Sequence, residues 1–207
     1  MRRTGWIAAV ELAIAIGYST PAGAYLPSIG VYFDPDCATC SANAGVGRPL
    51  ELYVNAQLGG WLDTGLSGAE FRVTGMPADW WILDVTPNPA ANIVLGNPLT
   101  TGCNIAFPGC QSRPGGCINL YVIRVLPVSE SANVRLDVTK HPRPSDCHGF
   151  CCPLLSACDA PVYTHVCAAG GQAWINGPSC AVGVVRSTWG SVKALYGART
   201  PPLPTPD

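Results

Sequence analysis

The 207-residue chain reads as an all-β protein, an antiparallel β-sandwich. Three observations point there. Apolar and polar residues alternate at period two in several separate segments, the pattern of strands with one buried face. Hydrophobic residues reach 48% while charged ones are only 12%, which supplies a core and argues against a disordered chain. Finally, 23 Gly and 20 Pro punctuate the sequence at short intervals, which suits many short strands and turns better than long helices.

Taken in order, the chain opens with Arg2 and Arg3, an apolar run from Trp6 to Ile16, and an A-x-A site at Ala22-Gly23-Ala24. Residues 1–24 therefore read as a signal peptide, in spite of Glu11 within the run. The run is shorter than the ~20 residues that span a bilayer, and no later segment is long and apolar enough to do so. The mature chain is expected to carry no membrane span. It is expected outside the cell, secreted or at a bacterial cell surface.

Residues 25–140 form the predicted sandwich domain. "LELYVNAQL" alternates strictly: Leu50, Leu52, Val54, Ala56 and Leu58 point one way, Glu51, Tyr53, Asn55 and Gln57 the other. "AEFRVT" repeats the pattern with Ala69, Phe71 and Val73 inward and Glu70, Arg72 and Thr74 outward. "VRLDVT" places Val134, Leu136 and Val138 inward. "INLYVIRVL", Ile118 to Leu126, is almost continuously apolar and reads as a central strand covered on both sides. "IGVYF", "WWILDV", "NIVLG", "CNIAF" and "VYTHVC" are shorter strand candidates. From Ile29 to Thr139 this amounts to about seven to nine strands.

Residues 141–186 change character. "HPRPSD" is a Pro-broken exit, followed by a cysteine-rich subdomain. "VYTHVCAAGGQAWING" predicts a hairpin that turns at Ala168 to Gly171. "STWGSVKALYG", residues 187–197, predicts a short helix with Trp189, Val192, Leu195 and Tyr196 on one face and Gly197 at its end. It suits docking on the sandwich, or a C-terminal sorting tag. Residues 198–207 are a Pro-rich extended tail.

The order of these strands resembles a cohesin-like module, an immunoglobulin-like sandwich akin to carbohydrate-binding domains. The matching elements are "LELYVNAQL", the "G-x-E-F-x-V" strand at Gly68, Glu70, Phe71 and Val73, and the late apolar strand Ile118 to Val125 before a last alternating one. The whole chain also resembles a group of secreted bacterial proteins through Gly30 to Asp34, Gly68 to Phe71 and Thr188 to Tyr196. The resemblance implies a non-catalytic binding module and brings no catalytic residues. Cohesin-like modules are poor in cysteine and lack the insert after Lys140, which departs from a dockerin-binding pattern.

The eleven cysteines are Cys37, Cys40, Cys103, Cys110, Cys117, Cys147, Cys151, Cys152, Cys158, Cys167 and Cys180. Behind an export signal all are disulfide candidates, and the odd number leaves at least one thiol without a partner in the chain. Adjacent Cys151 and Cys152 are expected to run to different partners, with Cys147, Cys158, Cys167 and Cys180 nearest. Cys103, Cys110 and Cys117 bracket the "GCQSRPGGC" turn and suggest a cross-strand pair. Cys37 and Cys40 close one small loop or pin it elsewhere by two bridges.

Other chemistries fit less well. Cys37-x2-Cys40 and Cys147-x3-Cys151 with His148 and His165 have zinc-like spacing, but the pairs are far apart and no second tight pair follows, so no metal is assigned. No helix follows Cys37-x2-Cys40 to lower a thiol pKa, and Asp34 and Asp36 would raise it. The same two carboxylates fall short of a calcium site. No G-x-S-x-G or H-E-x-x-H motif occurs, and no cofactor is called for. A Cys147 or Cys167 nucleophile beside His165 would require the odd thiol. With a net charge of −1, no basic patch for nucleic acid is expected.

Trp80 and Trp81 are the candidate ligand contacts. On an alternating strand one faces inward and the other outward, and an outward Trp stacks on sugar rings. Core packing competes for both. The resulting expectation is an exported adhesion, assembly or recognition module whose partner is a protein or a polysaccharide at the cell surface. The alternatives are a carbohydrate-binding module, or an extracellular enzyme using the odd thiol.

Overall fold

The structure, a computed structural model, describes residues 26–59, 62, 64–113, 116–145, 152–159 and 161–180. The expected signal peptide, the helix over 187–197 and the tail lie outside the described residues, as do Cys147 and Cys151.

The alternating segments form strands where the pattern places them. Nine fall between residues 28 and 139: β1 (Ser28–Tyr32), β2 (Ser41–Ala42), β3 (Leu50–Gln57), β4 (Leu66–Thr74), β5 (Trp81–Pro87), β6 (Ile93–Asn97), β7 (Gly102–Gln111), β8 (Cys117–Leu126) and β9 (Val134–Thr139). Four short ones follow: β10 (Leu154–Ala157), β11 (His165–Cys167), β12 (Ala169–Gly170) and β13 (Gln172–Ile175). They build two facing sheets. The first runs β12-β1-β3-β8-β5. In the second, β4 pairs β7 along one edge, and β6 continues beyond β7. Along its other edge β4 pairs β10 and then β9, with β11 beyond β10 and β13 and β2 beyond β9.

The core lies between the sheets. Leu52, Val54 and Ala56 of β3, Ala69, Phe71 and Val73 of β4, and Val134, Leu136 and Val138 of β9 are all buried, as their alternation requires. Each Leu, Val or Phe among them contributes about 1.5–3 kcal/mol of transfer free energy. Phe71 meets Tyr121 of β8 edge to face, with ring centroids 6.1 Å apart. β8 is central, flanked by β3 and β5, and its Arg124 alone is exposed.

The region after Thr139 departs from the expected hairpin. A hairpin exists, but it is β10–β11, in which Leu154 faces Cys167 and Ser156 faces His165. The segment Ala168 to Gly171 is not its turn. It crosses to the first sheet, where β12 pairs β1 in parallel, and β13 then returns to pair β9. Small residues make this crossing possible. A Cβ on Gly170 would sit 2.1 Å from the Val138 carbonyl oxygen, and one on Gly171 2.9 Å from the Gly30 Cα. The chain is held there by Ala169 N–H to Pro27 O (2.8 Å), Gly171 N–H to Ile29 O (2.7 Å) and Val138 N–H to Gly171 O (3.1 Å). The strip that reads as a turn by composition is a close-packed seam between the two sheets. The seam closes one side of the sandwich, where β1 lies against β9 and β13. At the other side β5 and β6 are the outermost strands of their sheets.

Candidate functional site

Among the described residues four disulfides fall on the outer faces of the sandwich. Cys37–Cys117 and Cys40–Cys180 lie over the first sheet, and Cys110–Cys158 and Cys152–Cys167 over the second. Cys37 and Cys40 therefore pin their loop elsewhere by two bridges. Cys110 and Cys117 both pair, but neither pairs within the even-spaced set. The cross-strand bridge suggested by that spacing does not form, because Cys103 of β7 points into the core while Cys110 and Cys117 do not.

Cys103 is the free thiol among the described residues, and its exposure is 0%. Burial pushes its pKa up to about 12. The Tyr121 hydroxyl beside it is buried without an oxygen or nitrogen partner, and its pKa is likewise pushed up by burial. A protonated thiol shut in a core is no nucleophile. Cys167 is bonded to Cys152, so a Cys167–His165 pair does not form. Among the described residues no group of three or more His, Cys, Asp or Glu could hold a metal ion, and no helix is long and apolar enough to cross a membrane.

The part of the first sheet's outer face around Asn55 is sealed. The loop after β1 folds back over it, with Tyr32, Cys37, Cys40 and Cys117 packed together. Asn55, an outward residue of β3, has no exposure. Its side-chain amide donates to the Asp34 carbonyl (3.4 Å), and its side-chain oxygen accepts from Asn119 Nδ2 (2.9 Å). Asp34 Oδ1 in turn accepts the N–H groups of Asp36 (2.8 Å) and Ala38 (3.0 Å).

The second sheet's outer face is open. A cleft of about 350 Å³ lies over β4, β7 and the β10–β11 hairpin, lined by Ser67, Glu70, Asn104, Phe107, Ser145, Ser156, Tyr163 and His165 among others. The sheet floor is Gly68 and Glu70 of β4 with Asn104 and Ala106 of β7. The hairpin is fastened along one wall: Ser67 Oγ donates to the carbonyls of Ser156 (3.1 Å) and Ala157 (3.0 Å), and Cys110–Cys158 anchors its end to β7. Asp159 shapes the hairpin loop by accepting the Thr164 N–H at 2.7 Å and the Thr164 hydroxyl. Those bonds hold the Asp159 carboxyl below its ordinary pKa.

Glu70 is the chemical centre of this cleft. Alternation alone sends it outward to solvent, and it does lie on the outer face, but its exposure is only 6%. Its carboxylate accepts the Ser145 N–H (3.1 and 3.2 Å) and the Ser145 hydroxyl. Asn104, its side-chain amide oriented so that the nitrogen faces the two acceptors around it, donates to Glu70 at 2.9 Å and to the Cys103 carbonyl at 3.1 Å. These donors are all neutral, and among the described residues no cation pairs with it. Two residues on, Arg72 shares the face, with its Nε buried and unbonded. Sequence reading missed Glu70 as a site residue because the chain that covers it, at Ser145, is 75 residues away. The one local signal is the Glu in the G-x-E-F-x-V strand.

Trp80 and Trp81 part company. Trp80 is 4% exposed, with its Nε1 buried and unbonded. Trp81 begins β5 and is 62% exposed. Neither lines the cleft.

No protein-family model matches the chain, and no curated protein matches it. Solved structures do. The cohesin module of a family 33 glycoside hydrolase from Clostridium perfringens is 13% identical with a TM-score of 0.51, over 74% of this chain and 99% of that module. The sixth cohesin of scaffoldin B from Acetivibrio cellulolyticus, in complex with a Cel5 dockerin, is 11% identical with a TM-score of 0.45, over 73% and 99%. A non-cellulosomal cohesin from Archaeoglobus fulgidus is 14% identical with a TM-score of 0.40, over 72% and 91%. At such identities the likeness is one of fold: the sandwich is cohesin-like.

Proposed function

We propose that the chain is an exported, non-catalytic binding module, and that the cleft around Glu70 receives a cationic side chain of a protein partner at the cell surface. One observation carries this reading. Glu70 is a buried carboxylate that, among the described residues, meets only neutral donors at the floor of an open cleft. Burying an anion without a counter-charge is costly, and a fold built for stability alone would pair it or replace it. A Lys or Arg from a partner supplies the missing charge, and the hydroxyls of Ser67, Ser145 and Ser156 offer polar contacts around it. The four disulfides support an oxidising, extracellular location. The cohesin-like fold agrees with a binding role but does not by itself choose a partner. The test is selection of a displayed random-peptide library on the immobilised mature protein and on its Glu70→Gln variant. The expected outcome is enrichment of peptides bearing Lys or Arg on the wild type, lost on the variant. Identical selection by both proteins contradicts the reading.

A second reading rests on Trp81, whose exposed ring is a surface for stacking on a sugar. Polysaccharide titration followed by Trp fluorescence tests it. A response that disappears in Trp81→Ala, with no peptide selection at the cleft, favours the carbohydrate reading instead.

A further inference from the structure

Eleven large hydrophobic side chains are exposed among the described residues, and six of them sit on two consecutive strands: Trp81, Ile82 and Leu83 of β5, and Ile93, Val94 and Leu95 of β6. Each strand is the last of its sheet, so together they bound one side of the sandwich. An outermost strand presents unpaired backbone N–H and C=O groups, and natural proteins blunt such an edge with Lys, Pro or an inward charge. β6 carries none of these within Ile93–Asn97. The absence extends further, since no charged residue occurs from Val85 to Ser112, a stretch that includes all of β6 and β7.

We propose that β6 is a self-association edge, at which two copies of this chain pair β6 to β6 antiparallel and extend the second sheet across a two-fold axis. The surface chooses this occupant by its charge. A strand with no charge and three exposed apolar side chains gains nothing from a charged partner segment, whereas a second copy meets it with the same apolar row and no like-charge repulsion. A two-fold arrangement is self-complementary by construction. Pairing covers Ile93, Val94 and Leu95 of both copies. Five-residue strands bury less than the ~1,600 Å² of a standard interface, so the dimer is a weak, concentration-dependent one. The edge borders the Glu70 cleft, since Leu95 pairs Asn104 and Asn104 pairs Glu70, but the pairing makes no use of the carboxylate and stands whether or not that cleft binds a partner.

The experiment is sedimentation equilibrium of the full mature chain from about 1 µM to about 1 mM, a range that reads dissociation constants in the micromolar to millimolar window. It is combined with amide hydrogen exchange at both ends of the range. Wild type is expected to shift from monomer to dimer, with protection of Ile93 to Leu95 that grows with concentration. Leu95→Lys places a charge on a side chain that is 60% exposed, so the monomer keeps its fold, and it is expected to abolish the shift. Val162→Lys, on the β10–β11 loop, is expected to leave the shift in place. A wild type that stays monomeric throughout overturns the proposal. So does a dimer that Leu95→Lys leaves intact, or protection of β6 that does not depend on concentration, which would show another segment of the chain covering it.

Discussion

Among the described residues the two outer faces of the sandwich carry two disulfides each, and they end in opposite states. On the first sheet, Cys37–Cys117 and Cys40–Cys180 draw a loop flat against the strands, and Asn55 beneath it is fully enclosed with its polar atoms bonded. On the second, Cys110–Cys158 and Cys152–Cys167 hold a hairpin beside the strands, leaving a cleft with a carboxylate at its floor. The bridges are the same chemistry. What differs is the group underneath: a neutral amide satisfied by the covering loop, against an anion that, among the described residues, is satisfied by neutral donors alone. Around Asn55 one face is finished by its own chain, and the other has room and charge for something else.

The largest expected effect breaks the sealed face. Cys37–Cys117 closes a loop of 80 residues, for which chain entropy predicts about 4.5 kcal/mol of stabilisation. Cys152–Cys167 closes one of 15, worth about 3 kcal/mol. Urea unfolding of the Cys37→Ala/Cys117→Ala and Cys152→Ala/Cys167→Ala double variants is expected to rank in that order. In peptide binding the ranking is expected to invert, because only the second pair holds the cleft wall. Equal losses of binding in both would erase the contrast between the faces.

A smaller effect comes from the core that both faces share. When folded, Cys103 keeps its proton up to about pH 12, whereas an exposed thiol loses it near 9.0. Between those two values the unfolded chain releases a proton that the folded chain retains, so stability falls as pH rises through that window. Burial of Tyr121 adds in the same direction. Denaturation midpoints measured from pH 8 upward are expected to fall less steeply for Cys103→Ala than for wild type. The native protein should also leave Cys103 unlabelled by a thiol reagent until it is unfolded.

The contrast between the faces also marks how far the sequence could be read. Period-two alternation located β3, β4 and β9 and their buried residues, because a strand's two faces are written locally in side-chain polarity, and a continuous apolar run located β8. Trp80 and Trp81 do differ in burial, but Trp80 precedes β5 and Trp81, Ile82 and Leu83 are all exposed, so alternation is not the cause. Alternation placed Glu70 outward and could go no further, since burial there is imposed by Ser145 from across the chain. Ala168 to Gly171 reads as a turn because small residues serve turns and close approaches alike, and only the positions of Val138 and Gly30 tell them apart. The disulfide partners were illegible for the same reason: Cys40 and Cys180 are 140 residues apart. Even spacing of Cys103, Cys110 and Cys117 misled, because the face of β7 and not the interval decides which sulfur meets another.

The central claim is that the Glu70 carboxylate is kept for a partner and not for the fold. Its most direct test is paired measurement on wild type and Glu70→Gln: calorimetric titration with a selected Lys- or Arg-bearing peptide, and thermal unfolding of both proteins. With its oxygen at the Oε2 position, Gln accepts from Ser145 and Asn104 without the buried charge, so the variant is expected to melt at the same temperature or higher. Its affinity for the peptide is expected to drop at least tenfold, about 1.4 kcal/mol. A variant that melts markedly lower and binds as tightly as wild type would show that Glu70 serves the fold, and would contradict the account.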